Sequence, residues 1–232
     1  MAHALVAPDR KRAMRALGGG TTLAHPGSPR PTRRRRYAAA MTDLARTARF
    51  DVLVEGYARP PNVAGTVSVV RDADRVVVVD PGMVAHRDLI LGRLRELGLG
   101  PEDVTDIVLS HHHPDHTVNI ALFPVVPIHD FQWVIEADHL TRRAVDGVQL
   151  TPSVRLLATA GHTPQDITTL VGTAGDIVAL THLWWSASGP ADDPYATDRE
   201  QLRQQRERIL AMATVIVPGH GGPFRPDSST PR

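Results

Sequence analysis

A mixed α/β fold is predicted by three features of this sequence. Short β-branched runs are separated by turn signals, two helix-patterned segments lie between such runs, and apolar residues suffice to cover sheets. Hydrophobic residues make up 42% of the 232 and charged residues 22%, a composition that suits one packed domain. Strands that alternate with helices put those helices on the outer faces of sheets. In chain order, 64–71 and 75–80 are β-branched runs joined by Asp72-Ala73-Asp74, a hairpin signature. Residues 85–98 carry Leu89, Ile90, Leu94 and Leu97 at helical spacing and stop at Gly98, a C-terminal signal. Pro101-Glu102-Asp103 leads into an apolar strand over 104–110. Short strands are expected at 125–129 and 154–160. A second hairpin, 167–172 with 176–182, turns at Gly172-Thr173-Ala174-Gly175. Thr197-Asp198-Arg199-Glu200 has the form of a capping box and opens a helix to about residue 212. A last strand over 214–217 runs into Pro218-Gly219-His220-Gly221-Gly222.

Composition removes several classes of function. Without cysteine there is no disulfide scaffold, thiol nucleophile or Cys-based metal site. No apolar run approaches the ~18 residues that span a membrane, and none of ~7–15 follows the basic N-terminal part as a secretory signal requires. The cytoplasm is therefore the expected location, with no membrane partner. The net charge of +1 hides an asymmetry: residues 1–40 hold nine basic side chains and one acid, which leaves 17 basic and 24 acidic groups, or −7, in the rest. With Gly18-Gly19-Gly20, several prolines and Arg33-Arg34-Arg35-Arg36, this segment has the composition of disorder. Residues 1–48 are expected to be a disordered or non-native Arg-rich extension, Met41 resembling an ordinary start. Residues 49–224 are expected to be the functional domain and 225–232 a frayed tail.

Histidine is the outlier, with 12 residues. Ser110-His111-His112-His113-Pro114-Asp115-His116 stands just past the end of an apolar strand. Residues i and i+2 of an extended segment point the same way, so His111 and His113 can converge on one ion. Asp115 and His116 follow the turn at Pro114 and can approach from another side. Neutral imidazole with carboxylate suits zinc, iron or manganese.

At this motif the sequence resembles the metallo-β-lactamase fold hydrolases, whose mark is His-x-His-x-Asp-His. The likeness extends in family order through Val79-Asp80-Pro81-Gly82, Ala160-Gly161-His162-Thr163 and Pro218-Gly219-His220-Gly221. It implies a four-layer αββα sandwich and metal-assisted hydrolysis, with zinc, as one or two ions, the expected cofactor. By the resemblance, His111, His113 and His162 hold a first metal, and Asp115, His116 and His220 a second. Asp115 also orients or deprotonates the attacking water. Asp80 touches no metal but braces the ligand loop through hydrogen bonds. His112 points away, His129 and His139 are structural or surface residues, and His86 belongs to a helix start.

One departure stands out. The family usually ends the strand after the second hairpin with an Asp that bridges the two metals, and here that place is taken by His182. Asp176 lies six residues back, about 20 Å along a strand. An imidazole has one lone pair and no charge, so His182 can ligate one ion but not clamp two. One tight and one weaker or more selective site are expected, unless Asp192 or Asp193 swings in as a bridge. Trp184 and Trp185 follow as candidate pocket residues, and since neighbours on a strand face opposite ways, one lines the site while the other packs.

Three functions compete. A small-molecule substrate, an ester, thioester or lactone, suits the acidic body and the Trp pair. RNA is the alternative: Leu122-Phe123-Pro124, His129-Asp130-Phe131 and the closing 217–224 resemble a compact branch of the family for which the likeness implies endoribonuclease activity. The −7 body offers no evident arginine track for phosphates, however. The third is a metal-binding module without catalysis. A homodimer stays open.

Overall fold

The computed structural model describes residues 44–232; the Arg-rich segment 1–40 and Met41 lie outside the described residues. Strands β1 (Arg49–Val54), β4 (Val67–Asp72), β5 (Arg75–Val79), β6 (Asp106–Val108), β7 (Ile128–His129), β8 (Trp133–Glu136) and β9 (His139–Arg142) form one sheet, in the order β1-β4-β5-β6-β7-β8-β9. Strands β10 (Val148–Thr151), β11 (Val154–Ala158), β12 (Ile167–Gly172), β13 (Ile177–Thr181) and β14 (Val215–Pro218) form the other, in chain order. A separate small hairpin pairs β2 (Tyr57–Arg59) with β3 (Asn62–Ala64). The helices are α1 (Asp88–Glu96), α2 (Pro114–Thr117) and α3 (Arg199–Leu210).

The layering follows from strand periodicity. Val77 and Val79 of β5 enter one cluster with Val154, Leu156, Ile167, Val178 and Val217 of the other sheet. Between them, Val78 turns the opposite way and packs with Val67, Val69, Ile90 and Leu94, which puts α1 on the outer face. In the second sheet Leu170, Ala179 and Ile216 face outward onto Leu202 and Ile209 of α3. The result is helix, sheet, sheet, helix, the expected four layers. Strands buried on both faces read as continuous Val/Ile/Leu runs rather than as alternating ones. Among the described residues no helix is long and apolar enough to cross a membrane.

Both predicted hairpins are present, with β4 antiparallel to β5 and β12 antiparallel to β13. Four elements differ from expectation. Helix α3 is capped by Asp198, whose side chain accepts from the Gln201 backbone N–H, so Thr197 does not start a capping box. The segment 44–48, assigned to the extension, belongs to the fold: Leu44 and Ala48 are buried, and Ala45 N–H and Ala48 N–H donate to the carbonyls of Pro152 and Gly172. Residues 225–232 are no frayed tail. Arg225 pairs with Asp176, and the Trp184 indole N–H donates to the Pro231 carbonyl at 2.8 Å. The β8–β9 hairpin carried no strand expectation; β8 is a short, partly buried run and β9 is exposed along its whole length.

A buried carboxylate ties these parts together. Asp72, at the end of β4, accepts from Thr47 Oγ1 (2.9 Å), Thr151 Oγ1 (2.6 Å), Ser153 N–H (2.7 Å) and Ser153 Oγ (3.0 Å). Burial pushes its carboxyl up, but the hydrogen bonds from Thr151, Ser153 and Thr47 outweigh that and hold it below its ordinary value. Asp72→Ala leaves those donors unpaired and is expected to cost about 2–3 kcal/mol in urea unfolding at neutral pH. A depressed folded-state pKa stabilises above the unfolded value and loses that stability as pH falls through the folded one. The gap between wild type and variant should therefore narrow below about pH 4, and a gap constant with pH would contradict the assignment.

Candidate metal centre

The ends of β5, β6, β11, β13 and β14 converge at one rim of the sandwich. They deliver, in turn, Asp80, the loop His111–His116, His162, His182 and His220. The loop after β6 is anchored from below. Asp80, in the left-handed region at φ 54°, accepts from Ser110 N–H at 2.6 Å with one carboxylate oxygen and meets His116 Nδ1 at 3.0 Å with the other. The Asp115 carbonyl accepts from Gly65 N–H and Met83 N–H. That approach needs glycine at 82, where a Cβ would collide with the Asp115 carbonyl. Gly219 is needed likewise, since a side chain there would strike the His182 ring.

Seven side chains meet at this rim. His111, His113 and His162 bring ring nitrogens within 4.8 Å of one another, as do His111, His116 and His182, and a carboxylate oxygen of Asp115 lies as close to ring nitrogens of His116 and His220. Hydrogen bonds on the far side of several rings set the tautomer and leave the near nitrogen with a free lone pair. His162 Nδ1–H donates to Asp193 Oδ2 at 2.8 Å, His220 Nδ1–H to the Ala64 carbonyl at 2.9 Å and His116 Nδ1–H to Asp80. His111 Nε2, His116 Nε2 and His182 Nδ1 are buried with no hydrogen-bond partner.

These residues fit a metal ion. Two ligands at ~2.0–2.1 Å from a tetrahedral ion stand about 3.3 Å apart. His113 Nδ1 and His162 Nε2 are 3.2 Å apart, and His182 Nε2 and His220 Nε2 3.1 Å. Burial and neighbouring imidazoles push His111 and His182 well below their ordinary value, and burial lowers His113 and His220 as well, so these rings stay neutral and keep lone pairs to give. His116 goes the other way. Burial alone would lower it, but the carboxylates of Asp80 and Asp115 raise it to about 9. A field that draws a proton so strongly into a buried site also draws a cation. Asp115, which burial alone would push up, is lowered to about 2 by His116 and His220 and is ionised at neutral pH.

The other sequence-derived candidates fall as follows. His112 points out of the cluster to Asp130 Oδ2 at 3.1 Å. His129 is buried between Asp106 and Arg143, a structural role, and His139 and His86 are exposed. Trp184 does not line the pocket: it is fully buried in the core beneath α3, in the irregular segment past the end of β13, where its indole N–H reaches the Pro231 carbonyl. Trp185 does line it. Asp193 is not aimed at the cluster as a bridge. Its Oδ2 takes both His162 Nδ1–H and Trp185 Nε1–H, each at 2.8 Å. Asp192 is exposed beside Arg199, 3.7 Å away.

A cavity of about 410 Å³ opens on the cluster, bounded by His113, Asp115, His162 and His220 on one side and by Ala58, Pro60, Val63, Met83, Trp185 and Tyr195 on the other. Tyr195 is 58% exposed and has its ring 5.2 Å from that of His162 and 5.8 Å from that of Trp185. Sequence reasoning missed Tyr195, the positioning role of Asp193 and the β2–β3 wall. The hairpin had a signal in Pro60-Pro61-Asn62 between short apolar pairs. The other two sit in an irregular loop without a pattern.

Comparison with known proteins agrees with this geometry. The family model described as the metallo-beta-lactamase superfamily matches residues 60–220. Human metallo-beta-lactamase domain-containing protein 1 is 34% identical over 176 residues, covering 72% of this chain and 66% of that protein. The chain thus spans slightly less than two thirds of that relative's length. Among solved structures, a metallo-beta-lactamase candidate from Thermotoga maritima superposes with a TM-score of 0.63 at 20% identity, over 78% of this chain and all of that one. An N-acyl homoserine lactone hydrolase holding N-hexanoyl-L-homoserine at its catalytic metal centre superposes at 0.54 and 18%, over 76% and 94%. The matched span, the layered sheets and the ligand-bearing strand ends together make this chain a member of the metallo-β-lactamase superfamily, whose members are metallo-hydrolases.

Proposed function

We propose that this chain is a zinc-dependent hydrolase of a small ester, thioester or lactone. The observation that carries this reading is the cavity on the histidine cluster, which is walled by apolar and aromatic side chains and, among the described residues, has no arginine or lysine in its lining. A phosphodiester backbone would need cations there, whereas an apolar acyl compound needs none. The likeness to a lactone hydrolase supports the same class of carbonyl substrate.

The proposed ligands are His111, His113 and His162 for one ion and Asp115, His116, His182 and His220 for the other. A cation held by them supplies Lewis acidity, lowering the pKa of water to ≈ 7 and polarising a carbonyl oxygen. The chain's own contribution is positioning. The ionised Asp115 carboxylate faces the cavity and accepts the hydrogen bond that aims the attacking water, taking its proton as the carbonyl is attacked. Trp185 and Tyr195 cover the acyl group and exclude bulk water. Asp193 fixes both His162 and Trp185, so ligand and wall keep their relative geometry.

With a single carboxylate among seven ligands, two dications are poorly neutralised, and His182 can serve only one of them. Exhaustive dialysis followed by elemental analysis is expected to leave about one tightly held equivalent of zinc per chain, the second being recovered only in excess metal. His182→Asp, which restores a bridging carboxylate, should retain two. Two equally tight equivalents in the wild-type protein would remove the argument from His182.

Hydrolysis of a generic thioester or lactone should disappear on chelation and return with zinc. Asp115→Asn is expected to lower kcat by roughly 10²- to 10⁴-fold. Cleavage of single-stranded RNA, with no turnover of any acyl substrate, would instead favour the nuclease reading.

A further inference from the structure

Beside the cavity on the metal centre lies a second one, of about 260 Å³, formed by Tyr57, Pro61 and Asn62 of the β2–β3 hairpin and by Val84 and Ala85 before α1. The two are neighbours with common walls: Val63 and Met83 line both. Among the described residues the second cavity has no charged side chain in its lining, and Asn62 and Tyr57 are the residues there with polar side-chain groups. Met83, at the junction, is 36% exposed, an unbranched apolar side chain standing in solvent at the mouth of a reactive site. Methionine adapts to the shape of what lies against it, so this side chain can pack along a ligand that passes from one cavity into the other.

We propose that this second cavity is the binding groove for an unbranched apolar chain on the acyl side of the substrate. The chain runs from the histidine cluster across Met83 and Val63 and comes to rest between the hairpin and residues 84–85. The inference rests on the hydrolase reading above and narrows it to medium-length acyl compounds. Adjacency selects this occupant: whatever fills the groove shares two walls with the site where the carbonyl reacts. Anionic or phosphorylated extensions would find no cation along this path. The far side of the groove is open to water because Pro61, Asn62 and Ala85 are exposed, so a chain that outgrows it protrudes and gains nothing further.

The test uses zinc-loaded full-length protein and a series of p-nitrophenyl esters from acetyl to decanoyl. kcat/KM should rise about fourfold for each added methylene while the groove fills, then level off. Ala85→Trp, which puts a ring into the groove from an exposed position, should cut the ratio of decanoyl to acetyl kcat/KM by about tenfold or more. Ala85→Asp, which puts a charge there, should do the same. Turnover that is flat across the series, or a chain-length preference untouched by both variants, overturns the groove while leaving the hydrolase intact. If no ester, thioester or lactone is turned over, the hydrolase reading falls. Calorimetry of decanoate binding to the same protein then decides the groove: heat that vanishes in Ala85→Trp upholds it, and absence of heat in the wild type overturns it.

Discussion

Ring nitrogens of His111, His116 and His182 that are buried and lack a hydrogen-bond partner are the constraint around which this fold is arranged. Leaving a buried polar atom unpaired costs about 1–3 kcal/mol, and here several sit within one small volume. Packing alone gives no reason to keep them. A cation does, because it turns each orphaned lone pair into a bond and offsets the crowding of imidazoles that would otherwise depress one another's protonation. The sandwich brings the ends of five strands to one rim, and the ligands stand on those ends. The sheets' layered hydrophobic contacts supply the rigidity that holds unpaired donors in place.

How the ligands are held decides how well they act. Asp80 sits at φ 54°, a backbone region that Asp tolerates better than most residues. From there it grips the Ser110 amide and the His116 ring at once. Gly82 lets the neighbouring loop close over the carbonyl of Asp115. One carboxylate and one missing side chain thereby fix the orientation of the 111–116 loop, and neither needs to touch a metal to matter.

Much of this was legible from sequence, for a physical reason. The strands buried on both faces are rich in β-branched and aliphatic residues, so 67–72, 75–79 and 177–181 stand out. The ligand motif is local, with four imidazoles and a carboxylate in seven residues, and the glycines beside His162 and His220 mark close approach. What escaped is long-range or irregular. The pairing of Asp193 with His162 spans 31 residues and lies in a loop without periodicity. The β8–β9 hairpin lies at a sheet edge: β8 offers only the three apolar residues Trp133, Val134 and Ile135, and β9 buries nothing that would leave a pattern. Trp184 and Trp185 were not assignable, because they lie in the irregular segment past β13, where no strand alternation decides which of two neighbours faces inward. The C-terminal residues looked featureless because their anchor is the carbonyl of Pro231, a group every residue carries.

The loop between β13 and α3 joins metal ligation to substrate shape, and Arg206 is what makes it rigid. This guanidinium is completely buried and donates to the carbonyls of Leu183, Pro190 and Ala191, each at 2.8 Å, while lying 5.6 Å from the Trp184 ring. It thus ties both ends of the segment that starts at His182 and leads to Asp193. A charge so buried without a hydrogen-bonded carboxylate is expensive. Its five donors explain its presence, since no neutral side chain could satisfy three carbonyls spread over nine residues of irregular backbone. With the segment tied at both ends, Asp193 is held where it bonds His162 and Trp185 together, so a displacement of the cavity wall is transmitted to the ring that ligates. In this molecule the cavity wall at Trp185 and the His162 ring are parts of a single hydrogen-bonded unit.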